Sequence, residues 1–237
     1  MIRGSISKGL DHDPNFRWRG EAVTRIENLS DIVFALAFGM LITAASPPQT
    51  MSDLSGFLFS IIPVTAAFAV LIGIWNHHFT FFRRYGVADK RIIFLNSILL
   101  FVVLYLAYPL RFAFDSLFAA ITGLSGNEAQ FQRMEMTFED SGIILAYFGV
   151  GFAIVHALFA LMHRHVIKKR ELLALTDYEF VVTQQSVFVH WGNVVVALVM
   201  ASAAYFTSLN GWAGCFMGLI GLIYVVRNWK YKLPLQE

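Results

Sequence analysis

The sequence predicts an all-α membrane protein with six transmembrane helices. Hydrophobic residues make up 57% of its 237 residues and charged residues only 14%, whereas a soluble domain carries about 25% charged residues. Six apolar segments are long enough to cross a bilayer, since ~20 helical residues rise ~30 Å. The loops between these segments are alternately rich and poor in basic residues, as a six-helix topology requires.

Residues that end or bend helices bound these segments. Pro47 and Pro48 end the first segment, because successive prolines cannot continue a helix. Pro63 is expected to kink the second segment, and Pro109 is expected to end the third. A polar stretch, Arg111–Asp140, then separates the third from the fourth. The segments are Thr24–Ala45, Leu54–Phe82, Arg91–Leu110, Ser141–His163, Gln184–Ser208 and Trp212–Trp229.

The distribution of charge gives the domain organisation and the orientation. All of the 18 Lys and Arg residues except Arg111 and Arg133 fall on one side of the predicted helices, which the positive-inside rule makes cytoplasmic. We therefore expect a cytoplasmic N-terminal arm at residues 1–23, a six-helix transmembrane domain at 24–230 and a cytoplasmic tail at 231–237. A net charge of +2 gives no support to binding of nucleic acid.

The first segment carries polar residues at its inner end. Arg25, Glu27, Ser30 and Asp31 all lie within its first two turns. An ionised side chain facing lipid costs roughly 2.5–3.5 kcal/mol on insertion scales. This end of the helix is therefore expected to face protein or water.

The same helix has an apolar stripe on another side. At ~100° per residue its members fall within about 60° of one line, while Asp31 points about 140° away from Leu36. The stripe consists of Leu29, Ile32, Leu36, Gly39, Met40 and Thr43. Such a stripe more often reflects ordinary helix packing. The alternative is a pore lined by the first helix of several subunits, where apolar rings can gate by dewetting, and helical spacing alone does not choose between them.

Asp31 needs partners from other helices. Arg25 is six residues away and cannot pair with it well on one helix face. The second segment offers Trp75 and His77 at matching depth, and the third offers Asn96. We expect these groups to form one buried polar network, which consists of Arg25, Ser30, Asp31, Trp75, His77 and Asn96. Anchoring of the Trp and His side chains at the lipid headgroups is the alternative.

No motif for covalent chemistry is present in the sequence. It has no Gly-rich phosphate loop, HExxH, GxSxG or Cys-pair motif, so an enzyme is not expected. The spacing of His156, His163 and His165 matches no metal motif. Two other readings stay open: a membrane redox, haem or metal protein with histidine ligands, and a secondary transporter, which needs two related halves.

Residues 25–31, RIENLSD, resemble the signature of the transmembrane protein 175 family of potassium channels. The family pattern is Arg, three variable residues and Phe-Ser-Asp, and this chain matches it at Arg25, Ser30 and Asp31 but has Leu29 in place of Phe. Trp75-Asn-His77-His78 and Asn96 also resemble the family.

The resemblance implies a homotetrameric, potassium-permeable cation channel whose central pore is lined by the first helix. It implies that Leu36, five residues after the motif Asp, forms the constriction, and that no cofactor beyond permeant K⁺ is needed. A hydroxyl residue linked to selectivity is often found where this chain has Gly39, so Thr43 could supply a polar ring instead and Met40 could narrow the path. The implied partners are other copies of the chain, the lipid bilayer of a prokaryotic plasma membrane and monovalent cations.

Overall fold

Among the residues that the structure describes, six helical segments are long and apolar enough to cross a membrane, as predicted. The computed structural model describes residues 13, 15–43, 47–124 and 137–232, and these contain helices and no strands. We number the α-helices in chain order. They are α1 Arg25–Thr43, α2 Met51–Phe59, α3 Ile61–Tyr85, α4 Lys90–Leu124, α5 Phe138–Ile167, α6 Asp177–Phe206 and α7 Ile220–Lys230, with a 3₁₀ helix Asn210–Leu219 before α7.

Capping boxes explain why three helices begin earlier than their apolar runs. Thr50, Thr137 and Thr176 each accept a hydrogen bond from the backbone N–H three residues on, and the acidic side chain at that position bonds back to the threonine N–H. Such boxes satisfy backbone donors that the helix itself leaves free. The polar first turns of α2, α5 and α6 are therefore helical although they add little apolar surface.

Pro109 does not end the third transmembrane helix, which corrects the sequence-based expectation. It lies inside α4, a helix of 35 residues. Proline removes one helical hydrogen bond, but membrane helices tolerate it where neighbours satisfy the freed groups. Arg111 and Asp115 also pair within α4 at 2.7 Å, so these charges do not interrupt the helix. Residues 125–136 of the expected polar stretch lie outside the described residues.

The irregularity in the second span lies before Pro63. α2 ends at Phe59, Ser60 forms the junction, and Pro63 is the third residue of α3. A proline in the first turn of a helix removes no helical hydrogen bond, because the N–H groups there have no partner within the helix.

The core lies where α1, α3, α4 and α5 meet. α1 packs against α3 and α4, and α5 packs against α4 and α6. Phe34 of α1, Leu71 and Phe81 of α3, Leu99 of α4 and Phe159 of α5 belong to one buried cluster. This packing holds α1 on one side only, and that determines the geometry of the candidate site.

Candidate functional site

One face of α1 is left uncovered by the residues that the structure describes. Leu29, Ile32 and Leu36 are 55%, 66% and 56% exposed, and Gly39 and Thr43 are exposed on the same line. Met40, at the edge of this stripe, is partly buried and packs against the core. The chain thus presents a nearly continuous apolar stripe along the length of one transmembrane helix.

The opposite face of α1 is buried. Phe34, Ala37 and Leu41 are at most 1% exposed and belong to the core cluster. Because these side chains fill space against α3 and α4, α1 cannot turn its uncovered stripe inward without losing them. The rotation of α1 about its own axis is therefore set by packing.

A series of hydrogen bonds holds the N-terminal end of α1. The Ser30 hydroxyl donates to the Ile26 carbonyl at 2.7 Å and accepts from the Asn96 side-chain N–H at 3.0 Å. The Asn96 carbonyl oxygen lies 2.9 Å from Nε2 of His78. All three side chains are at most 2% exposed. The series joins α1, α3 and α4 in surroundings where an unpaired polar group is costly.

Asp31, the carboxylate of the RIENLSD motif, lies outside this buried series of hydrogen bonds. Asp31 is exposed and accepts a hydrogen bond from the Trp75 indole N–H at 3.0 Å. Arg25 is exposed at the first residue of α1, and among the described residues it forms no ion pair with Asp31. Glu27 is buried instead, where it accepts hydrogen bonds from Thr24 and lies 3.7 Å from the Arg83 guanidinium.

His78, rather than His77, joins the network beside α1. Consecutive residues of a helix point ~100° apart, and His77 is directed away from α1, towards α5 and α6. Its ring centroid lies 6.0 Å from that of His156 and 5.1 Å from that of His190. The spacing of Trp75 and His78 could have shown this, since residues three apart share a helix face.

A histidine cluster between α3, α5 and α6 is the feature that the sequence analysis did not foresee. Nδ1 of His156 lies 2.8 Å from Nδ1 of His190, and Nδ1 of His163 bonds to the Phe159 carbonyl at 2.8 Å. Within the part of the chain that the structure describes, no group of three or more His, Cys, Asp or Glu is arranged to hold a metal ion.

Arg111 holds the C-terminal end of α1, a role that sequence reasoning also missed. Its guanidinium donates to the Leu41 carbonyl at 2.8 Å and to the Asp115 carboxylate at 2.7 Å. Cations stabilise the C-terminal carbonyl groups of a helix. The i, i+4 spacing of Arg111 and Asp115 indicates their pair within α4, but it does not indicate the bond to α1. α1 is thus bonded to α4 near both of its ends.

The exposed stripe has little steric restriction at Gly39. A Cβ atom added there would meet no heavy atom of the described residues within 4 Å. The nearby Thr43 hydroxyl donates to the Gly39 carbonyl at 3.0 Å. Thr43, the hydroxyl residue of the stripe, therefore lies about two turns from Leu36 and is bonded to its own helix.

Comparison with known proteins gives one consistent family. Residues 25–106 match the model of the endosomal/lysosomal potassium channel TMEM175. A potassium channel of Marivirga tractuosa is 33% identical over 219 residues, which cover 90% of this chain and 87% of that protein. A crystal structure of a variant of the potassium channel MtTMEM175, in complex with a nanobody–MBP fusion protein, matches with a TM-score of 0.78 and 31% identity. The match covers 92% of this chain and 97% of that one. The chain therefore belongs to the TMEM175 family of potassium channels.

Proposed function

We propose that this protein is a homotetrameric channel that conducts K⁺ passively through a central pore lined by α1. The observation that carries the proposal is the uncovered apolar stripe of α1, on a helix whose opposite face is buried and bonded to α4 near both ends. The similarity to two potassium channels supports K⁺ as the permeant ion. The proposal needs no cofactor and no covalent chemistry.

The exposure of Asp31 supports assembly of several copies. Asp31 lies about 140° from Leu36 around the helix, so the uncovered arc of α1 is wider than the stripe alone. A carboxylate in contact with lipid costs roughly 2.5–3.5 kcal/mol on insertion scales. A neighbouring subunit covering Asp31, with the Leu36 side turned to a shared axis, removes that cost and leaves neither face in lipid.

Four Leu36 side chains around the axis would form the narrowest part of the pore. An apolar ring can stop ion flow by dewetting, without a charged plug. Gly39 offers no hydroxyl to replace the hydration shell of an ion, so we propose permeation of K⁺ with modest selectivity over Na⁺. We propose that Thr43, which is exposed, forms a polar ring further out, and that Met40, which is partly buried, contributes less to the pore.

We also propose the orientation and the membrane. The excess of Lys and Arg on one side of the predicted spans favours cytoplasmic termini by the positive-inside rule. The chain covers most of the length of both relatives, and six candidate spans lie among its described residues. We therefore propose a multi-pass protein of a prokaryotic plasma membrane.

Flux through purified protein in liposomes tests this function. Potassium-loaded liposomes should show flux with the native chain, and Leu36→Ala should raise it several-fold by widening the apolar ring. Ile42→Ala is the matched control, because Ile42 is 50% exposed on the same helix but lies about 120° from Leu36. Absence of flux from both the native and the Leu36→Ala proteins, or an equal effect of Ile42→Ala, would contradict the proposal.

A further inference from the structure

The end of the N-terminal arm is bonded to the inner ends of the transmembrane helices. We call residues 15–20, together with Asp13, the docked arm. Phe16 is 3% exposed; its ring stands edge-on to that of Tyr85 with the centroids 5.5 Å apart, and the Arg84 guanidinium lies 4.6 Å from the centre of the Phe16 ring. An aromatic side chain in such a pocket anchors the segment that carries it.

Arg19 forms the polar half of the attachment. Its two terminal nitrogens donate to both carboxylate oxygens of Glu179, at 2.9 and 2.6 Å, and Nε donates to the Leu173 carbonyl at 2.8 Å. Glu179 is 1% exposed, and it also accepts from the Arg17 and Thr176 backbone N–H groups. Bidentate, charge-assisted pairs of this kind are among the strongest hydrogen bonds in proteins.

The docked arm is also bonded to the end of α3 through the backbone. The N–H groups of Arg19 and Gly20 both donate to the Arg83 carbonyl, at 3.1 and 3.0 Å, and the Arg83 guanidinium returns a bond of 2.8 Å to the Gly20 carbonyl. A Cβ atom at Gly20 would lie 2.3 Å from the Phe82 carbonyl oxygen, so only glycine permits this approach.

The docked arm leads directly into α1. Only residues 21–24 separate Gly20 from Arg25, the first residue of α1. Arg83 is shared between the two, since its guanidinium also lies 3.7 Å from Glu27 in the first turn of α1. The arm, the end of α3 and the start of α6 therefore fix where α1 begins.

We propose that the docked arm is a positioning device for the pore helix, and that Arg19 and Glu179 act on conduction by setting the inner end of α1 and thereby the width of the constriction at Leu36. This inference rests on the proposed function of the previous subsection. Arg19 touches neither the stripe nor a permeating ion; its effect passes through Gly20 and Arg83 to α1.

Two variants release the docked arm by different routes. Arg19→Gln removes the bidentate pair with Glu179, and Gly20→Ala forces the backbone away from Phe82. Arg17→Gln is the matched control, because it removes a neighbouring positive charge whose side chain is exposed and leaves the backbone bond to Glu179 in place. Potassium flux should change at least about fivefold, in the same direction, in both release variants and remain at the native value in Arg17→Gln.

Combining Arg19→Gln with Leu36→Ala separates positioning from general damage. If the arm acts through the constriction, Arg19→Gln has no further effect once the Leu36 side chain is removed, so the two changes are non-additive. A merely structural role predicts the same fold-change in either background. Equal fold-changes in both backgrounds would therefore overturn the inference.

Hydrogen exchange of the arm provides a readout that does not depend on conduction. The backbone amides of Arg17, Arg19 and Gly20 should be protected in the native protein and exchange faster in Arg19→Gln. Unprotected native amides, or protection lost without a change in flux, would overturn the inference. Absence of native flux would instead count against the proposed function, while the exchange data would still report whether the arm is docked.

Discussion

Asn96 of α4 donates a hydrogen bond to the hydroxyl of Ser30 at 3.0 Å and thereby bonds α4 to the buried face of α1. The contact lies on the side of the helix opposite the exposed stripe, so it fixes which side chains α1 leaves uncovered. Each polar group in this series of hydrogen bonds, which runs from the Ile26 carbonyl to the His78 ring, has a partner within the protein.

Loss of Asn96 should destabilise the folded subunit. Asn96→Ala removes the shared partner of Ser30 and His78, and leaving a buried polar group unsatisfied costs about 1–3 kcal/mol. Thermal unfolding of the purified protein measures this loss as a lower Tm. Ser97→Ala is the control, because Ser97 is exposed and bonds only to its own helix at the Ile93 carbonyl. An equal fall in Tm for both variants would contradict the assignment.

Arg111 should matter as a partner of the α1 terminus rather than as a surface charge. Arg111→Met removes the bond to the Leu41 carbonyl and leaves Asp115 without its ion-pair partner, and breaking a buried pair costs about 3–5 kcal/mol. Asp115 is the more exposed partner, with 27% side-chain exposure, so we expect a loss towards the lower end of that range. Asp115→Asn added to Arg111→Met should restore part of the Tm, because the unpaired charge is then gone; no recovery would show that the ion pair is unimportant.

A hydroxyl introduced at Gly39 should increase selectivity for K⁺. Gly39→Ser is sterically permitted, since a Cβ atom there meets nothing within 4 Å in the subunit, and it places a polar ring one turn from Leu36. Reversal potentials with K⁺ and Na⁺ on opposite sides of the membrane measure the permeability ratio. The ratio should rise several-fold over that of the native channel. Gly39→Ala controls for the added bulk, and an equal rise in that variant would refute a role for the hydroxyl.

Asp89 should stabilise the loop between α3 and α4 down to low pH. Partial burial alone would raise its pKa, but hydrogen bonds from Lys169 and His165, at 2.5 and 2.6 Å, and from the Ile92 N–H hold the pKa of Asp89 well below its usual range. A carboxyl group with a lowered folded-state pKa contributes stability that is full above its unfolded pKa, ~3.9, and lost as the pH falls towards the folded value.

The Tm difference between the native protein and Asp89→Asn should therefore be present at pH 7 and retained at pH 5. It should shrink only below about pH 4, where the unfolded chain binds the proton first. Asp177→Asn is the control, because it removes an exposed carboxylate that pairs with Arg170 near the same membrane surface. Asp53→Asn is not suitable, because Asp53 caps α2. A difference for Asp89→Asn that disappears between pH 7 and pH 5 would contradict this account.

The number of spans could be predicted from the sequence, but the helix ends could not be predicted from hydropathy alone. Apolar runs report the part of a helix that lies in hydrocarbon, whereas the polar first turns of α5 and α6 are held by capping boxes at Thr137 and Thr176. Those boxes are visible as Thr-x-x-Asp and Thr-x-x-Glu. Pro109 was misleading because tertiary contacts and the Arg111–Asp115 pair support α4 beyond it.

The polar groups around α1 were predictable by type and depth but only partly by partner. The structure brings Ser30 together with Asn96 and Asp31 together with Trp75, two pairings within the expected network. His77 and His78 point ~100° apart around α3. Only the helical periodicity of the sequence distinguishes which of them faces α1. The bond from Arg111 to Leu41 depends on the packing of α1 against α4, so no local pattern reveals it.

Cadmium block of a channel with a thiol at the constriction tests the central claim most directly. Leu36→Cys in a Cys215→Ser background introduces thiols at the proposed pore axis. Thiolates are soft ligands and bind soft metal ions such as Cd²⁺ strongly. Ile42→Cys in the same background is the control on the side of α1 away from the stripe. The account predicts that Cd²⁺ stops potassium flux through Leu36→Cys and leaves Ile42→Cys unaffected. Conduction through Leu36→Cys that Cd²⁺ does not alter would contradict it.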